Sequence, residues 1–186
     1  STPKPSSAAS DVYKRQTWGM ENFSMLSMAS KENSFSKIGS SIINIYSRSP
    51  SLIAMGAATA DTISNGRLIL GLGTSSQPIV EDFHGYEFEK PVKRMKEYVE
   101  IIRLILTGKA INYSGDIFSL KDFSLLIKPP RNKIPIYLAA VNQKMVELAK
   151  EAIDTEKAVS KTLPISNANR TTGATLSGVI TKKTHG

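Results

Sequence analysis

Three stretches put hydroxyl, amide and very small side chains where an apolar run ends. In "RLILGLGTSS" the residues Leu68, Ile69, Leu70 and Leu72 meet Gly71 and Gly73, and the chain turns polar at Thr74, Ser75 and Ser76. In "GSSIINIYSR" Ser40, Ser41, Asn44 and Arg48 surround a second run, and "YLAAVNQK" closes a third with Ala139, Ala140, Val141 and Asn142. Hydroxyls and free N–H groups suit a phosphate or carboxylate, and glycine or alanine lets a flat or bulky ligand approach the backbone. The competing reading is structural: glycines and alanines for packing, serines in a solvated loop, Arg48 in a surface ion pair. Three coincident ends weigh toward a ligand lying across them.

Other chemistries are poorly supplied. There is no cysteine, which removes thiol nucleophiles, thiolate metal sites and disulfides. Of the two histidines, His84 in "EDFHGYEF" has no paired acid or nucleophile nearby and reads as a loop residue near a substrate mouth. No histidine and carboxylate cluster has metal-ligand spacing, so no metal is expected. "GLGTSS" lacks the third glycine of a dinucleotide fingerprint and follows a helix rather than opening a first βαβ unit. No catalytic residue is assignable from the sequence.

The elements that must hold these ends alternate. "WGMENFSMLSMASKE" places Trp18, Phe23 and Leu26 at helical spacing, and "SKIGSSIINIY" reads as a buried strand. Ser49 and Pro50 start a second helix, as N-cap and first helical residue, which stops at "SNG" before "RLILGLG". Pro91 opens a third, with Val92, Met95, Val99, Ile102 and Leu106 in a stripe and Gly108 as its stop. Residues 111–118 read as a hairpin turning at Ser-Gly-Asp, residues 134–140 as a buried strand, and Met145, Leu148 and Ala149 as one face of a last helix. Apolar strands separated by amphipathic helices predict an α/β fold with neighbouring parallel strands at 39–45, 67–73 and 134–140, either a (β/α) barrel or an open doubly wound sheet. Ligands of both lie beyond the C-terminal strand ends.

The chain ends differ from the middle. Residues 1–16 are Ser/Pro/Ala-rich, "DVYKRQ" looks like a translated sequencing-adapter end, and the segment is expected to be a non-native leader. Residues 155–186 form a polar low-complexity tail, expected to be frame-shifted or disordered. These ends carry a net +6 of the chain's +8 and leave residues 17–154 nearly neutral, which argues against nucleic acid as a partner. The apolar run "SLIAMGAATA" is too short to span a bilayer and no signal peptide opens the chain, so no membrane partner is expected and the location expected is cytoplasmic.

The segments "IINIYSRSP", "AATADTISNGRLILGLGTSS", "RMKEYVEIIRLILTGKAINYSGDIF" and "IPIYLAAVNQKMVELA" resemble the bacterial luciferase-like superfamily, most closely its deazaflavin branch, which includes the methylenetetrahydromethanopterin reductases. That resemblance covers residues 17–154 and implies a fragment of a (β/α)8 TIM barrel: strands three to five with their helices and an inserted hairpin. It implies an oxidoreductase that moves a hydride between coenzyme F420 and a small organic substrate, a methylene-pterin among the candidates. The same resemblance puts a bulge with a cis peptide at Ser41 and Ile42, behind the deazaflavin ring. It assigns cofactor binding to Asn44, to Thr74 and Ser75 on the phosphate-bearing arm, and to Ala139, Ala140, Val141 and Asn142. A homo-oligomer is implied for the full-length protein. The alternatives are an FMN-dependent monooxygenase of the same superfamily and a truncated fragment without activity, since a barrel needs about 250 residues.

Overall fold

The structure, a computed structural model, describes residues 21–32, 34, 37–131, 133–140 and 142–154. The expected leader, Trp18, Val141 and the tail lie outside the described residues.

Local capping chemistry fixes the first two helices. Helix α1, Asn22–Glu32, is preceded by Glu21, whose carboxylate accepts the N–H groups of Phe23 and Ser24 at 3.0 and 2.8 Å. Helix α2, Pro50–Ile63, begins as its sequence predicts: Pro50 needs no N–H partner, and the Ser49 hydroxyl accepts the Leu52 N–H at 3.2 Å. Its buried Ala54, Ala57, Ala58 and Ala60 let neighbours approach closely. Gly56 is required by α1, because a Cβ there would come within 2.6 Å of the Phe23 ring.

A left-handed turn at Asn65 and Gly66 leads into strand β3, Leu68–Gly73, the centre of the sheet. On one side lie β1, Ile38–Gly39, and β2, Ile43–Asn44, which are two parts of one interrupted strand. On the other lies β6, Ile136–Leu138, shorter than the 134–140 expected. All three pair with β3 in parallel, so the predicted neighbours and direction are observed. The fold is mixed α/β with a parallel sheet.

Alternation along the strands divides the sheet into two faces. Ile38, Ile43, Leu68, Leu70 and Leu72 are fully buried in one core with Ile53, Ala57, Ile101 and Ile102 of the helices. The opposite face carries Gly39, Ile69, Gly71, Gly73, Asn44 and Tyr137, three of them without a side chain.

Helix α3, Pro91–Leu106, buries Met95, Val99, Ile102 and Leu106 of the predicted stripe, and Gly108 terminates it with φ +74°. It packs on α2 and on α4, Gln143–Asp154, and the latter buries Met145 and Leu148. Between them, β4, Ile111–Ser114, and β5, Ser119–Phe123, form the antiparallel hairpin, which runs five residues past the predicted limit of 118. A single π-helical turn, Ile79–Phe83, is an element that no sequence signal announced.

An ion pair between a buried carboxylate and a half-buried guanidinium closes the pole at the N-terminal ends of the strands. Asp61, at 0% exposure, receives the Arg131 guanidinium through Nε and Nη2, and the Leu68 N–H at 3.1 Å. Arg131 belongs to the segment feeding β6, so helix α2, β3 and that segment share one electrostatic knot.

Candidate functional site

The interruption between β1 and β2 builds the site. Gly39 pairs with Ile69 and Ile43 with Leu72, so four steps along one strand oppose three along the other: a one-residue bulge. A cis peptide bond joins Ser41 to Ile42, at the position the family resemblance implied. In an uninterrupted parallel ladder the Ser40 carbonyl would accept from the Gly71 N–H. Here that carbonyl lies over the Gly71 Cα, where an added Cβ would strike it, and the Ser40 hydroxyl takes its place. The hydroxyl accepts the Gly71 N–H at 2.9 Å and donates to the Gly71 carbonyl at 3.0 Å, at 1% residue exposure.

The two glycines of "GLG" thereby acquire a shared reason. Gly71 makes room for the displaced backbone of the bulge, and Gly73 makes room for Ile42, whose Cγ1 would lie 2.8 Å from a Cβ. The packing reading of these glycines is the one the geometry supports directly. What they permit is a bulge leaning across the side-chain-poor face of the sheet.

The candidate residues gather at one pole. Asn44 pairs with Gly73, and Leu72 pairs with Leu138, so the chain leaves β2, β3 and β6 side by side. Beyond Gly73 come Thr74 and Ser75, both half-buried; the Ser75 backbone is left-handed, at φ +61°. Beyond Leu138 come Ala139, whose N–H donates to the Leu72 carbonyl at 2.9 Å, and Ala140. Asn142 caps α4: its Oδ1 accepts the Met145 N–H at 2.9 Å and its carbonyl the Val146 N–H. Ser41, Ile42, Asn44, Thr74, Ser75, Ala139 and Ala140 thus share the C-terminal strand ends, while Val141 lies outside the described residues. Asn44 carries a more specific signal. Its Oδ1 accepts the Tyr46 N–H at 2.9 Å, but its Nδ2 is buried with no partner among the described residues.

Aromatic side chains brace this pole from the helix side. Tyr46 stacks on Phe88 at 5.2 Å between ring centroids and donates its hydroxyl to the Glu89 carbonyl at 2.7 Å. Burial pushes its hydroxyl above the ordinary tyrosine range, while the Arg94 cation pulls it the other way. The Arg94 guanidinium lies over both Tyr46 and Phe118, 4.7 and 5.3 Å from the centroids. The hairpin tip is tied in by buried Glu97, which accepts the N–H groups of Asp116, Ile117 and Phe118. Gly115 leaves room for that carboxylate.

Arg48 follows its plain structural reading. It pairs with Glu21 at 2.5 Å and lies over the Phe23 ring. His84 is exposed at the end of the π turn. A groove of about 550 Å³ lined by Leu106, Leu125, Ile127 and Pro130 lies where α3 ends and the segment to β6 begins, away from the C-terminal strand ends. Among the described residues no helix is long and apolar enough to cross a membrane, and no group of three or more His, Asp or Glu could hold a metal.

Parallel strands with hydroxyls, small residues and an amide collected at their C-terminal ends define an α/β domain whose candidate residues share one pole. The chain matches the luciferase-like monooxygenase family over residues 8–161, and it belongs to that family. It is 41% identical over 132 residues to a 5,10-methylenetetrahydromethanopterin reductase of Archaeoglobus fulgidus, a match covering 71% of this chain and 39% of the relative. It superposes on the coenzyme F420-dependent tetrahydromethanopterin reductase of Methanopyrus kandleri with TM-score 0.65 and 27% identity, covering 72% of this chain and 42% of that one. The monooxygenase RslO1 of Streptomyces bottropensis shares the fold, with TM-score 0.62, 17% identity and coverage of 75% and 51%. The chain therefore spans about two fifths of the length of the curated reductase it matches.

Proposed function

We propose that this chain is part of an F420-dependent oxidoreductase that moves a hydride between the deazaflavin and a small organic substrate. The observation that carries the reading is the 41% match over 132 residues, 71% of this chain. Two features of the structure support the reading: the bulge at Ser41 and Ile42, seated over Gly71 and Gly73 on the face away from the helices, and the buried Asn44 Nδ2 beside it, which has no partner among the described residues. When bound, the reduced deazaflavin supplies a hydride, two electrons with one hydrogen nucleus, to the substrate carbon. Ser41 and Ile42 would back the ring, Asn44 would donate to it, and Thr74, Ser75, Ala139, Ala140, Val141 and Asn142 would receive the phosphate-bearing arm. A (β/α)8 barrel completed by further strands, a homo-oligomeric assembly, a cytoplasmic location and a pterin substrate all belong to this proposal.

A flavin reading is favoured by one observation, the family's own description as monooxygenases. Titration of the purified protein with F420 and with FMN separates the two: F420 preference is expected, and FMN preference would move the assignment. Replacing Ser75 by Glu sets a carboxylate against the phosphate arm and should weaken F420 binding more than about tenfold, or 1.4 kcal/mol. Folding should be unchanged, since Ser75 lies in a loop beyond the strand end. A variant that binds as well as the parent would return "TSS" to a solvated loop.

A further inference from the structure

We infer that Ser40 is a positioning residue for the bound ring: its hydroxyl is the strut that holds the Ser41 and Ile42 bulge across the sheet face. The inference rests on the reading above and concerns a residue that touches neither the ring nor the phosphate arm in it. Three observations converge on Ser40. The bulge is displaced toward the side-chain-poor face, as the positions of the Ser40 carbonyl over Gly71 and of the Ile42 side chain over Gly73 show. That displacement takes away the backbone acceptor that the Gly71 N–H would have had, and the Ser40 hydroxyl supplies another at 2.9 Å. The same hydroxyl then donates to the Gly71 carbonyl at 3.0 Å, so one oxygen atom is held from both sides on β3.

The arrangement is buried and hydrogen-bonded on both flanks. Ser40 is 1% exposed, and the backbone on either side of it is pinned, with Ser40 N–H donating to the Ile69 carbonyl at 3.2 Å and Ile45 N–H to the Gly73 carbonyl at 3.0 Å. With the hydroxyl gone, the buried Gly71 N–H recovers an acceptor if the Ser40 carbonyl is drawn back into the ladder. That motion withdraws Ser41 and Ile42 from the face they lean across. Ser40 therefore acts on the ligand through the bulge, and its effect on binding should exceed its effect on folding.

The experiment compares Ser40→Ala, Ser40→Thr and Arg131→Met with the parent protein by thermal melting, by the dissociation constant for F420, and by the absorption spectrum of bound F420. Arg131→Met strands Asp61 at the opposite pole and serves as a loss of stability unconnected to the bulge. Ser40→Ala should raise the dissociation constant by at least about tenfold and return the bound spectrum toward that of free F420. Arg131→Met should lower the melting temperature while leaving the dissociation constant within about twofold. Ser40→Thr, which keeps the hydroxyl, should recover most of the affinity. If Ser40→Ala does not fold, Ser40→Cys replaces it, with a sulfur that accepts hydrogen bonds only weakly. A parent-like constant and spectrum in a folded Ser40→Ala or Ser40→Cys protein would overturn the inference and leave the F420 reading standing. So would equal losses in Ser40→Ala and Ser40→Thr. If the parent binds FMN instead, the same comparison is made with FMN; if it binds neither, both the functional reading and this inference fall.

Discussion

Placing alanine at Gly71 and at Gly73, two residues apart on one strand, should cost very different amounts. At Gly71 the new methyl group meets the Ser40 carbonyl oxygen, the carbonyl carbon at 3.0 Å and the Ser41 Cα at 3.5 Å, all backbone. The bulge can yield only by moving bodily, so the cost combines overpacking of about 1–3 kcal/mol with loss of the Ser40 hydroxyl contact to a buried N–H, another 1–3 kcal/mol or so. Replacing glycine within a strand returns roughly 0.5–1 kcal/mol, which leaves a net loss of about 1–5 kcal/mol, centred near 3. At Gly73 the obstruction is the Ile42 side chain, with Cγ1 at 2.8 Å and Cβ at 3.3 Å. A side chain that can change rotamer yields more readily, and the net loss there should be about 1 kcal/mol. Urea denaturation measures both, with the difference read from the midpoints at a common slope. Gly71→Ala proteins as stable as Gly73→Ala ones, or more so, would refute the account of the bulge as rigid backbone resting on Gly71.

Two further outcomes concern the carboxylates of Glu97 and Glu21. Glu97→Gln keeps the size of a side chain that binds three hairpin N–H groups but removes its charge and one acceptor, so the amides of Asp116, Ile117 and Phe118 should exchange hydrogen faster while those of β3 stay protected, as hydrogen-exchange mass spectrometry would show. Glu21 is pushed up by partial burial, but the N–H groups of Ser24 and Phe23, the Ser24 hydroxyl and Arg48 together hold it below its ordinary value of 4.5. A folded value below the unfolded one contributes stability that is complete above 4.5 and is lost as pH falls through the folded value. The stability difference between the parent and Glu21→Gln should accordingly shrink as melts are taken from neutral pH into that acid range, and a difference that stays constant would count against the cap.

Much of the architecture was legible because its causes are local. Ser49 and Pro50 announce α2 by chemistry confined to four residues, and the stripe from Met95 to Leu106 needs only a helical period to be recognised. The parallel order of the three strands followed from apolar runs separated by amphipathic helices. The reason for the glycines was not legible, since the atoms that exclude a Cβ at Gly71 belong to Ser40, 31 residues earlier. Ser40 itself was visible as one small polar residue at a strand end, yet nothing in "GSSII" says which serine turns inward to β3. The Asn44 amide could be placed at a strand end, but its missing partner is a property of packing. The hairpin outran its predicted limit because pairing with β4 draws residues 119–123 into a strand that their own mostly polar pattern hardly suggests.

The bulge also decides what kind of side chain stands on the sheet face away from the helices. A strand assigns its residues alternately to two sides, like a code with two letters, and one extra residue shifts the reading of everything after it. Even-numbered Ile38 lies against the helices, and so would even-numbered Asn44 if the count ran on unbroken. Because one residue is added between Gly39 and Ile43, it is Ile43 and Ile45 that enter the core, and the amide turns to the opposite face. Deleting any one residue there would exchange the two sets, sending an unpaired amide into the hydrocarbon interior and two isoleucines outward. The side chains this face presents therefore depend on the number of residues in that short interval as strictly as on their identity.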